Sequence, residues 1–138
     1  MIKHTQTIVQ APGRTDGHDA AGRPGDSWRT AIACITDAES VEDVPHFVEL
    51  DEQGKGHWYF TTLVYLQNLY GEETRLPWRT SLDGVEDLPE YMIGVGPSPR
   101  GPFDHAVIID RNMELVHDPH PSRAGLTSIS EIHRIVKP

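Results

Sequence analysis

Gly25-Asp26-Ser27-Trp28-Arg29-Thr30-Ala31-Ile32-Ala33-Cys34-Ile35 is the stretch on which the fold turns. Trp28, Ala31, Ile32 and Ile35 recur at helical spacing, Asp26 stands where an N-cap belongs, and no Pro or Gly interrupts the run, so a helix is expected over Ser27–Asp37. Its start carries a hydroxyl. The first turn of a helix offers unpaired N–H groups and the positive end of the dipole, an environment that favours an anion beside residue 27.

Outward from this helix, Gln6–Gln10 reads as a short strand, and the Gly-, Pro- and Asp-rich stretch 11–25 as a surface loop. Ser40-Val41-Glu42-Asp43 fits a capped helical turn with Asp43 as the capping-box carboxylate, ended by Pro45. His57–Tyr70 reads as a helix closed by Gly71, with an apolar face broad enough to expect burial between other elements. Residues 76–89 read as irregular. Strands are expected at Tyr91–Val95, Phe103–Ile109, Glu114–His117 and Ile132–Val136. The loop 96–102 holds three prolines and is expected to stay unpaired. The fold class is α+β, with the N-terminal helix packed on an antiparallel sheet in one domain spanning 1–138.

The two strands around Arg111-Asn112 are expected to form a hairpin, and a one-residue slip of its register would bring His117 to the face of His105 instead. Pairing Asp110 with Met113 places His105 opposite Asp118, close enough for the carboxylate to accept the imidazole N–H. Val107 and Val116 then share the face of His105, with Ile108 and Leu115 on the other, and a hairpin apolar on both sides sits centrally in its sheet. Ser27, His105 and Asp118 thus have the order of a nucleophile, base and orienter, a pattern suited to acyl transfer. Taken singly, each also fits a plainer role: Ser as a cap, His as a satisfied polar residue, Asp-Pro as a turn opener.

Other features narrow the class. With 21 acidic and 12 basic residues the net charge is −9, and no Lys/Arg cluster breaks that balance, so neither nucleic acid nor an anionic membrane is an expected partner. A cytoplasmic setting is expected, since Cys34 is the only cysteine, no signal pattern opens the chain, and no apolar run approaches the roughly 18 residues that span a bilayer. Cys34 reads as a buried small residue rather than a second nucleophile. His117 and His120 have the residue types of a metal site, but Pro119 and Pro121 oppose a shared geometry, so no metal or cofactor is expected. Arg100 suits a carboxylate-bearing group or a plain turn, and Trp28 the core.

The motifs Gly25-Asp26-Ser27-Trp28-Arg29-Thr30-Ala31, Val44-Pro45-His46-Phe47, Ser98-Pro99-Arg100-Gly101, His105-Ala106-Val107 and His117-Asp118-Pro119-His120-Pro121-Ser122 with Gly125-Leu126 carry a family resemblance. Together they resemble small bacterial and phage papain-like proteins related to papain-type cysteine peptidases, including the bacteriocin-processing double-glycine peptidases. The resemblance implies a papain-like fold and hydrolysis of a peptide, isopeptide or amide bond by a Cys/His/Asp triad on a peptide or protein substrate. It places Ser27 at the nucleophile position, His105 as base, Asp118 as orienter and Gln6 as oxyanion donor, with Gln10 competing for that last role.

Ser at 27 departs from the family pattern and implies an inactive or very slow form, whether it replaces Cys by design or occurs naturally. The alternatives are a catalytically inactive papain-like binding protein, phage-encoded and directed at a host factor, and a transglutaminase-like or amidase activity of the same residues. The sequence leaves the oligomeric state open.

Overall fold

The computed structural model describes residues 1–138. Helix α1 (Ser27–Ile35), a 3-10 turn (Val41–Asp43), α2 (Phe47–Glu52) and α3 (Trp58–Tyr70) precede the strands β1 (Trp78–Arg79), β2 (Met92–Pro97), β3 (Asp104–Ile109), β4 (Leu115–His117) and β5 (Glu131–His133). The strands form one antiparallel sheet in the order β1-β5-β2-β3-β4. The fold is α+β. No helix is long and apolar enough to cross a membrane.

Helix α1 is buried on most of its surface, because Trp28, Ala31, Ile32, Ala33 and Cys34 share one core with Ile93, Ala106 and Ile108 of the sheet and with Phe47 and Leu66 of α2 and α3. It ends two residues before the expected Asp37, which adopts a left-handed φ of 57° while Ala38 N–H reaches back to the Ala33 carbonyl. Trp28 anchors it, donating its indole N–H to Thr62 Oγ1 at 3.0 Å. The opposite face of the sheet carries a smaller core of Met92, Val107, Ile109 and Ile132.

Several expectations need correction. Gln6–Gln10 is not a strand; its backbone pairs with side chains and loops instead of a ladder. In the turn after Ser40, the hydroxyl accepts from Glu42 N–H and donates to the Glu42 carboxylate, so Asp43 forms no capping box. The turn does end before Pro45, at Asp43 with Val44 as its C-cap, and Pro45 also stands just ahead of the N-cap of α2, where its missing N–H costs nothing. Helix α3 buries only one side: Phe60 and Val64 are 63% and 54% exposed, since α3 is an outer helix held through Thr62 and Leu66.

In the sheet, β1 crosses a stretch read as irregular, and Gly96 and Pro97 do pair, opposite His105 and Asp104. Pro97 is tolerated because it contributes its carbonyl, which accepts from Thr127 N–H at 3.0 Å. Gly96 is required there, because a Cβ would stand 2.0 Å from the Ser128 carbonyl oxygen. Strand β5 begins one residue earlier than expected and ends at His133, and Val136 makes only an isolated bridge to Arg75.

The hairpin register also differs. The turn holds three residues, with Met113 at φ 61° and Asp110 N–H bonded to the Glu114 carbonyl, and a bulge follows, so Ile109 faces Leu115 and Ile108 faces His117. His105 is therefore not opposite Asp118 in the ladder. Strand β4 lies at the sheet edge rather than at its centre and covers only the last two residues of β3.

Candidate active site

The short reach of β4 leaves the first half of β3 with a free edge, and the N-terminus of α1 docks there. Ala106 N–H donates to Ser27 Oγ at 3.2 Å across 79 residues of sequence. His105, one position earlier, is 3% exposed, and its Nε2 lies 2.6 Å from Asp118 Oδ1. Asp118 reaches it after the chain has left the ladder at His117.

The Asp118 carboxylate is fully engaged. Oδ1 also accepts from His120 N–H at 2.9 Å and Oδ2 from Gly125 N–H at 2.7 Å. Burial alone would raise its pKa, but the hydrogen bonds from His105, His120 and Gly125 outweigh that and hold it at about 2. An ionised Asp118 fixes the Nε2–H tautomer of His105. Nδ1, which has no partner in the protein, then keeps its lone pair.

Gln6, Ser27 and His105 line one cleft of about 230 Å³, together with Arg100 and His120. An adjoining space of about 290 Å³, walled by Trp28, Val48, Trp58 and Val95, shares Ser27 and His105 with it. Gln6 is 8% exposed; its Nε2 donates one N–H to the Ile8 carbonyl at 2.7 Å. Gln10 lines the same cleft, but its Oε1 is committed to Gly17 N–H at 2.8 Å, which shapes the loop 11–25. That loop is fastened to α2 by Arg23 with Glu49 and by His18 with Glu52, and His46 Nε2 meets the Pro24 carbonyl at 2.9 Å.

Sequence reasoning missed three supports. Asp26 is not a side-chain cap: it is wholly buried and accepts from Thr7 N–H, Ile8 N–H and the Thr7 hydroxyl. Arg123 donates to the Asp118 carbonyl and to Thr5 Oγ1, and Gly125 supplies the N–H on Asp118 Oδ2. Asp26 had a signal as the helix N-cap and Gly125 through the Gly125-Leu126 motif, while Arg123 had none. Cys34 is buried along α1, where loss of solvent pushes its thiol pKa up. The rings of His117 and His120 have separate partners, the His4 carbonyl and Ser122 respectively.

No family model, curated protein or solved structure matches this chain. The site therefore stands on its own geometry.

Proposed function

We propose that the protein is built for acyl transfer on a papain-like plan, as a peptidase or amidase with Ser27 at the nucleophile position. The observation that carries this reading is the convergence of the α1 N-terminus with a buried His105–Asp118 pair, 2.6 Å apart, whose remaining imidazole nitrogen is unspent. His105 Nδ1 takes the proton of the residue-27 side chain as its Oγ, or the sulfur of a Cys form, attacks the carbonyl carbon. The tetrahedral oxyanion is held by the Ser27 backbone N–H and the free N–H of Gln6 Nε2, an arrangement in which one lost donor typically costs about 3–4 kcal/mol of barrier. His105 then delivers its proton to the leaving amine, and water, deprotonated by the same nitrogen, releases the acid.

A hydroxyl gains little from the α1 dipole, because it must lose its proton during attack, whereas a thiol at the same place ionises beforehand. The Ser27 form is accordingly slow or inactive. One observation favours a second reading, a binding protein on a retired catalytic scaffold: Ser27 Oγ is occupied by Ala106 N–H and makes no hydrogen bond to His105.

The test is Ser27→Cys with an iodoacetamide probe. Hydrolase chemistry predicts a thiol pKa well below about 8.5 and rapid labelling that His105→Ala abolishes. Labelling indifferent to His105→Ala, or an unshifted thiol, would favour the binding protein.

A further inference from the structure

The cleft beside Ser27 carries a second chemistry that the proposed hydrolysis leaves unused. Arg100 lies in the turn after β2, its backbone N–H on Ser98 Oγ at 3.1 Å, and lines the cleft with His105. No carboxylate pairs with it. Its Nε is buried without a hydrogen-bond partner, and Nη1 reaches only Ser122 Oγ, at 3.4 Å.

The surrounding acids are already committed or lie apart. Both oxygens of Asp118 are taken by His105, His120 N–H and Gly125 N–H. Asp16 is held by Arg14, and Glu52 by His18; Asp104, on the cleft rim, is exposed and makes no ion pair with Arg100. A partly buried cation kept without a counter-ion is costly unless something completes it. Burial accordingly lowers the Arg100 pKa, with only Asp118 pulling the other way.

His120 adds a donor on the same side. Ser122 N–H donates to His120 Nδ1 at 2.9 Å, so the neutral ring carries its proton on Nε2, which has no partner. Burial, then the charge of Arg100, pushes the His120 pKa down to about 4, so the ring stays neutral at pH 7. The wall thus sets two donors without an acidic partner, the Arg100 guanidinium and the His120 Nε2–H, beside one cleft, and a planar carboxylate can accept from both.

We propose that Arg100 and His120 form a carboxylate-binding subsite, and that the substrate bears a carboxylate within about two residues of the bond addressed at Ser27. The spacing follows from the 6.2 Å between the His105 and His120 ring centroids, since extended chain covers roughly 3.3–3.6 Å per residue. Only the reference to a scissile bond rests on the proposed function.

The experiment needs no turnover. The protein with Ser27 is titrated with N-acetyl-L-alanine, N-acetyl-L-alaninamide and inorganic phosphate, followed by NMR. The carboxylate should bind at least tenfold more tightly than its amide and more tightly than phosphate, and Arg100→Met, which keeps the aliphatic stem, should erase the preference. Equal binding of acid and amide overturns the subsite; so does a preference that survives in folded Arg100→Met, while tighter phosphate binding overturns the carboxylate assignment. The acid–amide comparison on the unmodified protein decides the matter if Arg100→Met does not fold. An unreactive Ser27→Cys variant would remove the hydrolase reading and leave this binding result standing.

Discussion

Asp118→Asn tests the electrostatics of the site with little change of shape. The carboxylate meets three donors: His105 Nε2 at 2.6 Å and His120 N–H at 2.9 Å on Oδ1, and Gly125 N–H at 2.7 Å on Oδ2. An amide has one oxygen and one NH2, so whichever way it faces, a backbone donor is left opposite another donor, at a cost of about 1–3 kcal/mol. The charge adds its own share. Depression of the carboxyl pKa from 3.8 to about 2 is worth about 2 kcal/mol to the folded state at neutral pH. Because the folded pKa lies below the unfolded one, this contribution is present above about pH 4 to 5 and is lost as pH falls toward 2, with about half gone by pH 3. Urea unfolding of both proteins at pH 6 and pH 3 reads the effect. The variant should lose roughly 1 M or more in midpoint at pH 6, and the gap should narrow by about 1 kcal/mol at pH 3. A difference below about 0.5 kcal/mol at pH 6, or one identical at the two pH values, would refute the assignment of Asp118 as an ionised, fully bonded orienter.

Two further outcomes follow from the same geometry. Gly96→Ala should cost more than about 3 kcal/mol in denaturant unfolding, since its Cβ would stand 2.0 Å from backbone that cannot rotate away, whereas Gly22→Ala, with a φ of 81° and open space around it, should cost only about 1 kcal/mol; comparable costs would contradict the close approach of β2 to residue 128. The hydrogen bond with Glu52 raises the His18 pKa, so the His18–Glu52 clasp is fully present below pH 6.5 and is lost as pH rises through the folded value. Amide exchange across residues 11–25, corrected for intrinsic rates, should accelerate between pH 6 and pH 9 in the natural protein and much less in His18→Gln; parallel profiles would sink the clasp.

Periodic elements were legible in the sequence, while elements fixed by tertiary contact were not. Helices α1 and α3 announced themselves through apolar spacing, Asp26 and Gly71 marking their ends, and β3 through its apolar run. Helix α2 has six residues, of which only Phe47 is buried, too short a run for any period to show. The hairpin register failed by small additions, one extra turn residue at Met113 and a bulge before His117, neither of which Arg111-Asn112 betrays. The His105–Asp118 contact survived that slip because Asp118 lies beyond the ladder, where its own Asp-Pro turn and the Gly125 N–H direct it. Asp26 does stand at the N-cap of α1, but its carboxylate is spent on the arm 5–8 instead of on the cap, and nothing in the local sequence shows that arm folding over it.

That arm explains how residues from distant parts of the chain stay in register with one another. Gln6 N–H bonds the carbonyl of Pro119, the neighbour of Asp118, at 2.9 Å. Thr7 and Ile8 N–H bond the carboxylate of Asp26, the neighbour of Ser27, at 2.9 and 2.8 Å. Thr5 Oγ1 takes Arg123, whose other nitrogen holds the Asp118 carbonyl. Four consecutive residues are thus tied on one side to the loop of Asp118 and on the other to the start of α1. A displacement of either element must break hydrogen bonds to the same short segment, including those of the buried Asp26 carboxylate, which has few other partners to turn to. The arm has no sheet to belong to, and its backbone donors are spent on the neighbours of the candidate triad. Its lack of regular secondary structure is therefore what lets it hold Gln6, Ser27 and Asp118 as one unit.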